Sequence, residues 1–289
     1  MVGIKEEVLK LKGKLSESIY NKLFYVSDYL YIEKDNYPSI SVVSEDEINI
    51  VYSNDNDLFN IKIDADFNTD NLYNIINSIK LFYHPKTTKM CLFTGAFNPP
   101  TIAHYHMIES ASKAYPFDYI VFAVSNQSFL DRKQKRNNDW AFSEKDRLNM
   151  LTYMTCHLKN VLIFGVEKGY TYDVLCAVKE KYHPTDLFFA MGSDKLNEIG
   201  HWGHHDKLLS EYCFYILNRG ENMVSVIEKS EVLFSKTKYI VHNEDNKFSS
   251  VSATKVRRNM DDEKDFKDLV HPKVYSFLKN MKKGDYCEV

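Results

Sequence analysis

The chain has 289 residues, more than one average domain needs, and 37 Lys and Arg against 40 Asp and Glu leave a formal charge of −3. That near-balance excludes a dedicated nucleic-acid binder, which carries a clear basic excess. With 44% hydrophobic and 27% charged residues the composition is globular rather than disordered. From the N-terminus, Ile4, Val8, Leu11, Leu15, Ile19 and Leu23 recur at helical spacing, which predicts one amphipathic helix over 4–24. Alternating segments at Tyr29–Ile32, Ser39–Val43, Ile48–Tyr52 and Phe59–Ile63, separated by Asp, Asn, Pro and Ser, predict an antiparallel sheet. Leu72, Ile75, Ile76, Ile79 and Phe82 predict a second amphipathic helix. Together these make a small α+β module over 1–84 in which no catalytic constellation is evident.

A polar hinge, His84–Lys89, marks the expected domain boundary, and beyond it the rhythm changes. Almost wholly apolar runs recur at Met90–Phe93, Tyr119–Val124, Val161–Phe164, Leu187–Met191, Cys213–Leu217 and Tyr239–Val241, with helical-period segments between them. Continuous apolar strands alternating with helices predict a parallel sheet covered on both faces. Residues 89–289 are therefore expected to form a doubly wound α/β domain, whose ligands bind beyond the carboxyl ends of the strands.

No apolar run approaches the ~20 residues of a membrane span, and Met1–Glu7 turns polar and acidic too soon for a secretory signal. The five cysteines, Cys91, Cys156, Cys176, Cys213 and Cys287, are odd in number and scattered, without zinc-site spacing. A reducing cytoplasm is the expected setting, with neither membrane nor nucleic acid as partner. His201, His204 and His205 lack the carboxylate or Cys company of a structural zinc site, and no protein-held metal is expected.

The chemistry concentrates where Gly and Pro cluster. The first strand of the second domain runs into Gly95-Ala96-Phe97-Asn98-Pro99-Pro100-Thr101-Ile102-Ala103-His104, a turn of small residues with two prolines that pre-set a helix start. Thr101 and His104 are three apart and share a face of the first turn. Beside them lie the helix's free N–H groups, where the dipole is positive, so the pair frames a polyphosphate cradle.

Gly95-x-Phe97-Asn98-Pro99-x-Thr101-x-x-His104 resembles the first motif of the HxGH/TxxH nucleotidyltransferase superfamily, and its Phe-Asn-Pro element is similar to the nicotinate/nicotinamide mononucleotide adenylyltransferase branch. Thr101 stands at the first His position and Ala103 replaces the Gly. Ser252-Ala253-Thr254-Lys255-Val256-Arg257 resembles the family's C-terminal ISSTxxR signature, with Ser252 as a helix cap and Ala253 in place of one hydroxyl. Met191-Gly192-Ser193-Asp194 followed by Trp202 resembles the Gly-x-Asp…Trp segment. Gly169-Tyr170-Thr171-Tyr172-Asp173-Val174-Leu175 resembles the helix-opening T-x-D/E-T-L segment, with Val174 where Thr is usual. The basic loop 126–138 offers Lys133, with Lys135 as alternate, and Arg147-Leu148-Asn149-Met150 matches the helix that follows it.

The resemblance covers residues 89 to 280 and implies a Rossmann-like nucleotidyltransferase that joins ATP and nicotinate or nicotinamide mononucleotide into a dinucleotide, releasing pyrophosphate. It implies Gly95, Ala96, Phe97, Thr101, His104, Gly192, Asp194, Ser252, Thr254 and Arg257 around ATP, with His104 and Arg257 catalytic. It implies Phe97, Asn98, Lys133, Tyr170, Thr171 and Trp202 around the mononucleotide, and Mg²⁺ arriving with ATP. Another phosphate acceptor, or a nucleotide sensor without turnover, are the rival expectations. The oligomeric state stays open.

Overall fold

The computed structural model describes residues 4–30, 38–69, 72–137, 139–167, 169–244 and 246–281. Two compact units emerge, one of residues 1–86 with Thr155–Lys159, the other of Thr87–Met154 with the chain from Asn160 onward.

The first unit holds α1 (Ile4–Leu9), α2 (Glu17–Ser27), the antiparallel strands β1 (Ser39–Ser44), β2 (Glu47–Ser53) and β3 (Leu58–Ile63), and α3 (Leu72–Tyr83). The single helix expected over 4–24 is two helices. Gly13 adopts a φ of +81°, a left-handed turn open to glycine at no steric cost, and the chain reverses there. The apolar stripe survives the break, since Ile4, Val8, Leu15, Ile19 and Leu23 are all buried. Of the strand expected at Tyr29–Ile32, Tyr29 lies in a turn and residues 31 and 32 fall outside the described residues. β2 alternates as a half-buried strand should, turning Ile48, Ile50 and Tyr52 inward.

The second unit is built on six parallel strands: β4 (Lys89–Gly95), β5 (Tyr119–Val124), β6 (Val161–Gly165), β7 (Asp186–Gly192), β8 (Cys213–Asn218) and β9 (Tyr239–Asn243). Their order across the sheet is β6-β5-β4-β7-β8-β9. Every residue of β5 is buried, as a strand covered on both faces requires. The helices between them are α4 (Ile102–Ala114), α5 (Gln127–Asn137), α6 (Glu144–Thr155), α7 (Thr171–Tyr182), α8 (His205–Glu211) and α9 (Met223–Leu233), followed by α10 (Ala253–Asp261) and α11 (Pro272–Asn280). Strand order reverses between β4 and β7. In a doubly wound sheet the ligand crevice opens at that switch point, beyond the strands' carboxyl ends.

Residues 126–138, expected as a loop, are mostly the helix α5. Asn126 Oδ1 accepts the Phe129 N–H at 2.9 Å and caps it, and Leu130 anchors it at 1% exposure. Among the described residues no helix is long and apolar enough to cross a membrane. Cys91, Cys156, Cys176 and Cys213 are free thiols, and Cys287 lies outside the described residues.

A candidate nucleotide cleft at the switch point

Three adjoining cavities of about 620, 300 and 440 Å³ open at the carboxyl ends of β4, β5, β7 and β8. The largest is bounded by the N-terminal turns of two helices, α4 through Thr101, Ala103 and His104 and α10 through Ser252, Ala253 and Thr254. Two sets of free N–H groups and two positive dipole ends therefore face one space, a ready anion site. Ser252 Oγ accepts the Lys255 N–H at 3.2 Å and caps α10.

The turn after β4 is held by close packing. A Cβ on Gly95 would come within 2.9 Å of the Phe97 ring, so glycine there is what lets Phe97 fold back. Phe97 is buried with a φ of +46° and meets Phe122 and His104 edge-on, with ring centroids 5.4 and 5.1 Å away. Behind the turn, the wholly buried Arg147 donates to the carbonyls of Ala96 at 2.9 Å, Ser125 at 2.8 Å and Phe142 at 3.2 Å, and to Gln127 Oε1 at 3.1 Å. Burial lowers its pKa to about 10, still well above neutrality, so a cation ties together the ends of β4 and β5.

His104 occupies the boundary of the two phosphate-side cavities. The Thr101 backbone N–H donates to its Nδ1 at 2.9 Å, half of a reciprocal capping box. An Nδ1 that accepts leaves Nε2 to carry the proton. Desolvation on the cleft floor, reinforced by the charge of Arg219, holds the pKa of this imidazole down at about 4. At neutral pH it is a neutral N–H donor.

Arg257 comes from the second turn of α10 and is 4% exposed. It forms a two-pronged ion pair with Asp139, its Nη1 donates to the Asn98 carbonyl at 2.5 Å, and its Nη2 reaches Thr254 Oγ1 at 3.3 Å. Burial works to raise the Asp139 pKa, but hydrogen bonds from Arg257 and the Trp140 amide, with the charges of Arg257 and Arg258, outweigh it and hold the carboxyl below its usual range.

One of the smaller cavities lies over the ends of β4, β7 and β8, the other over the ends of β4 and β5. Asp194 and Gly192 line one of them, Thr171, Val174 and Lys133 the other, and Trp202 borders both. A Cβ on Gly192 would sit 2.2 Å from Asp194 Oδ1, so the glycine makes room for that carboxylate. Trp202 is held edge-on to Phe189 at 5.9 Å.

Of the residues expected at the site, Gly95, Ala96, Phe97, Asn98, Thr101, His104, Lys133, Thr171, Gly192, Asp194, Trp202, Ser252, Thr254 and Arg257 all line the cleft. Tyr170 does not. It is 60% exposed, leans over Gly203 and meets His204 edge-on at 6.0 Å. Asn98 reaches the wall, but its amide is engaged within the protein, donating to the Trp140 carbonyl at 3.0 Å and accepting the Phe142 N–H at 2.8 Å. Lys133 lines two of the cavities and Lys135 none of them. The sequence reading missed Arg219, Asp139 and Lys195, which also line the cleft. Arg219 follows β8 directly, and its place after an apolar strand at the carboxyl end of the sheet was the available signal. Among the described residues no group of three His, Cys, Asp or Glu side chains is arranged to hold a metal ion.

Comparison with known proteins gives a consistent picture. The cytidylyltransferase-like family model matches residues 92–259, more than half of the chain. A probable nicotinate-nucleotide adenylyltransferase of Clostridium tetani is 27% identical over 199 residues, 66% of this chain and 96% of that protein. One from Caldicellulosiruptor saccharolyticus is 26% identical over 208 residues, 69% of this chain and 100% of that protein. The solved structure of Plasmodium falciparum nicotinic acid mononucleotide adenylyltransferase complexed with NaAD superposes with a TM-score of 0.53 at 23% identity. That match covers 66% of this chain and 95% of the other, and it bears on the fold.

Proposed function

Because the chain belongs to the cytidylyltransferase-like family and is a nucleotidyltransferase, we propose that it transfers the adenylyl group of MgATP to a pyridine mononucleotide, with nicotinate mononucleotide the favoured acceptor. The observation that carries this reading is the pairing of two helix N-termini around His104 with a second, aromatic-bordered space at Trp202. The names of the relatives, which read nicotinate-nucleotide adenylyltransferase, support the choice of acceptor.

In this reaction an oxygen of the mononucleotide 5′-phosphate attacks the α-phosphorus of ATP. The bond from that phosphorus to the bridging oxygen breaks, and pyrophosphate leaves. A phosphate is already ionised at neutral pH, so the chain supplies position and charge rather than a base. His104 donates from Nε2 to the α-phosphate as charge builds there. The α4 and α10 amides, Thr101, Ser252, Thr254 and the arginines hold the β- and γ-phosphates. Asp194 takes the ribose and the flat face of Trp202 takes the pyridine ring, while Lys133 and Thr171 meet the mononucleotide. Mg²⁺ enters as part of the substrate, bound by phosphate oxygens and water in the manner of a small hard cation, where it neutralises phosphate charge.

The test is pyrophosphate release from ATP and Mg²⁺ with nicotinate and nicotinamide mononucleotide separately, the products identified by mass. A dinucleotide from nicotinate mononucleotide at the higher kcat/KM is expected. ATP binding with no dinucleotide from either acceptor overturns the proposal.

A further inference from the structure

Arg257 carries five N–H donors, and four of them are already committed: two to Asp139, one to the Asn98 carbonyl and one to Thr254 Oγ1. The side that a phosphate would grip with two parallel hydrogen bonds is filled by a carboxylate gripping in the same way. Asp139 belongs to the wall of the same cavity as Thr101, His104, Ser252 and Thr254. The side chains of the pair are unequally covered, Arg257 at 4% exposure and Asp139 at 22%, so the carboxylate is the partner nearer the opening. Asp139 lies in the short strap between α5 and α6, and its carboxylate also accepts the neighbouring Trp140 N–H at 2.9 Å. The strap itself is anchored elsewhere: the Trp140 carbonyl accepts from Asn98 and Gln134, and Trp140 Nε1 donates to Asp261. The carboxylate can therefore leave by side-chain rotation while the strap stays in place.

We infer that Asp139 is an internal competitor for the phosphate-binding face of Arg257, displaced when a polyphosphate enters the cleft. This rests on the reading of the cleft as a nucleotide site and adds to it a residue that sets selectivity. A triphosphate brings enough charge to take Arg257 from a two-pronged carboxylate, and a monophosphate does not. ATP is thereby favoured over its own monophosphate, at the cost of some ATP affinity. Before a nucleotide binds, the Asp139 carboxylate also gives the buried guanidinium a counter-charge, without which it would be an unpaired buried cation.

The experiment is calorimetric titration of the full-length chain with ATP, and separately with inorganic tripolyphosphate, in the absence of any mononucleotide. Asp139→Asn is expected to bind both at least about fivefold more tightly than the wild type, the lower end of coupling between linked sites. Asp139→Ser also removes the charge and serves as the second variant, with the same gain expected. In an Arg257→Gln background the gain from Asp139→Asn is expected to vanish. Equal or weaker binding by folded Asp139→Asn and Asp139→Ser overturns the inference and makes Asp139 a positioning residue for Arg257. A gain that persists without Arg257 overturns it in favour of plain charge repulsion. A wild-type chain that binds neither ATP nor tripolyphosphate removes the nucleotide-site reading itself, and the competitor with it.

Discussion

At His104, burial, hydrogen bonding and neighbouring charge all favour one protonation state. Nδ1 accepts the Thr101 N–H, and the pKa is held near 4 by desolvation and Arg219, so the ring is neutral and donates from Nε2 across the neutral range. In the proposed reaction kcat/KM for ATP then stays level through pH 6.5, the ordinary titration point of an imidazole. A fall in kcat/KM as pH rises through 6.5 would mean that a charged ring does the work, and an acid limb centred there would mean that the ring titrates at its ordinary value. The same depression acts on stability. The unfolded chain takes up the proton near 6.5 and the folded one only near 4, so this contribution is whole above 6.5 and drains away as pH falls toward 4. Melting curves of wild type and His104→Gln from about pH 7 to about pH 4 should show the wild type losing more. His104→Ala should cost about 10²–10⁴-fold in turnover with the fold intact by circular dichroism. Gly192 gives a subtler case. A methyl there would stand 2.2 Å from Asp194 Oδ1, and the carboxylate, as the freer group, is the one to move. Gly192→Ala should raise KM for ATP roughly tenfold while kcat and Tm stay near wild type. An unchanged KM would remove Asp194 from the nucleotide.

At the scale of elements, the cleft depends on a strap that no motif announces. Asn98 was expected at the mononucleotide, yet its amide holds Trp140 and Phe142, and those residues bring Asp139 up to Arg257. Asn98→Ala would take the partner from the buried Phe142 N–H, at about 1–3 kcal/mol, while the Trp140 carbonyl keeps its bond from Gln134. It should therefore lower Tm together with activity. A rise in KM for the mononucleotide at unchanged Tm would restore the substrate contact. The division between what the sequence disclosed and what it hid follows the same physics. The inner strands of the parallel sheet were legible because strands buried on both faces are continuous apolar runs, and Tyr119–Val124 has no polar residue at all, whereas the edge strand β9 is only half-buried. His104, Ser252 and Trp202 were legible because each stands in a local pattern. The helix α5 was hidden because Arg132, Lys133, Lys135 and Arg136 make it read as a solvated loop, while its cap and its anchor are the single residues Asn126 and Leu130. Asp139 was hidden because its partner is 118 residues away, a separation over which spacing carries no signal.

For the whole molecule, the question is how far the chemistry is self-contained. Among the described residues, those that line the cleft all belong to the second unit, between Phe93 and Arg257. The family match begins at residue 92 and leaves residues 1–86 of the first unit outside it, though it takes in Thr155–Lys159. A division at the His84–Lys89 hinge follows the change in composition, but it does not foresee that Thr155–Lys159, which begins at the last residue of α6, belongs to the first unit. There Lys80 of α3, 1% exposed, donates to the Thr155 carbonyl at 3.1 Å, and burial lowers its pKa to about 7 against the opposing influence of Cys156. A chain begun at Lys89 would keep all the cleft residues and lose Lys80, so Thr155–Lys159 would be left without the partner that covers it. The expected outcome is adenylyl transfer with KM for ATP and the mononucleotide within about twofold of the full chain, together with a lower Tm and faster loss of activity on warming. Lys80→Met in the full chain should reproduce part of the Tm loss, because it removes the bond to Thr155 while keeping apolar volume. A truncated protein that is folded by circular dichroism yet inactive would assign the first unit a part in the reaction, which the composition of the cleft wall does not call for.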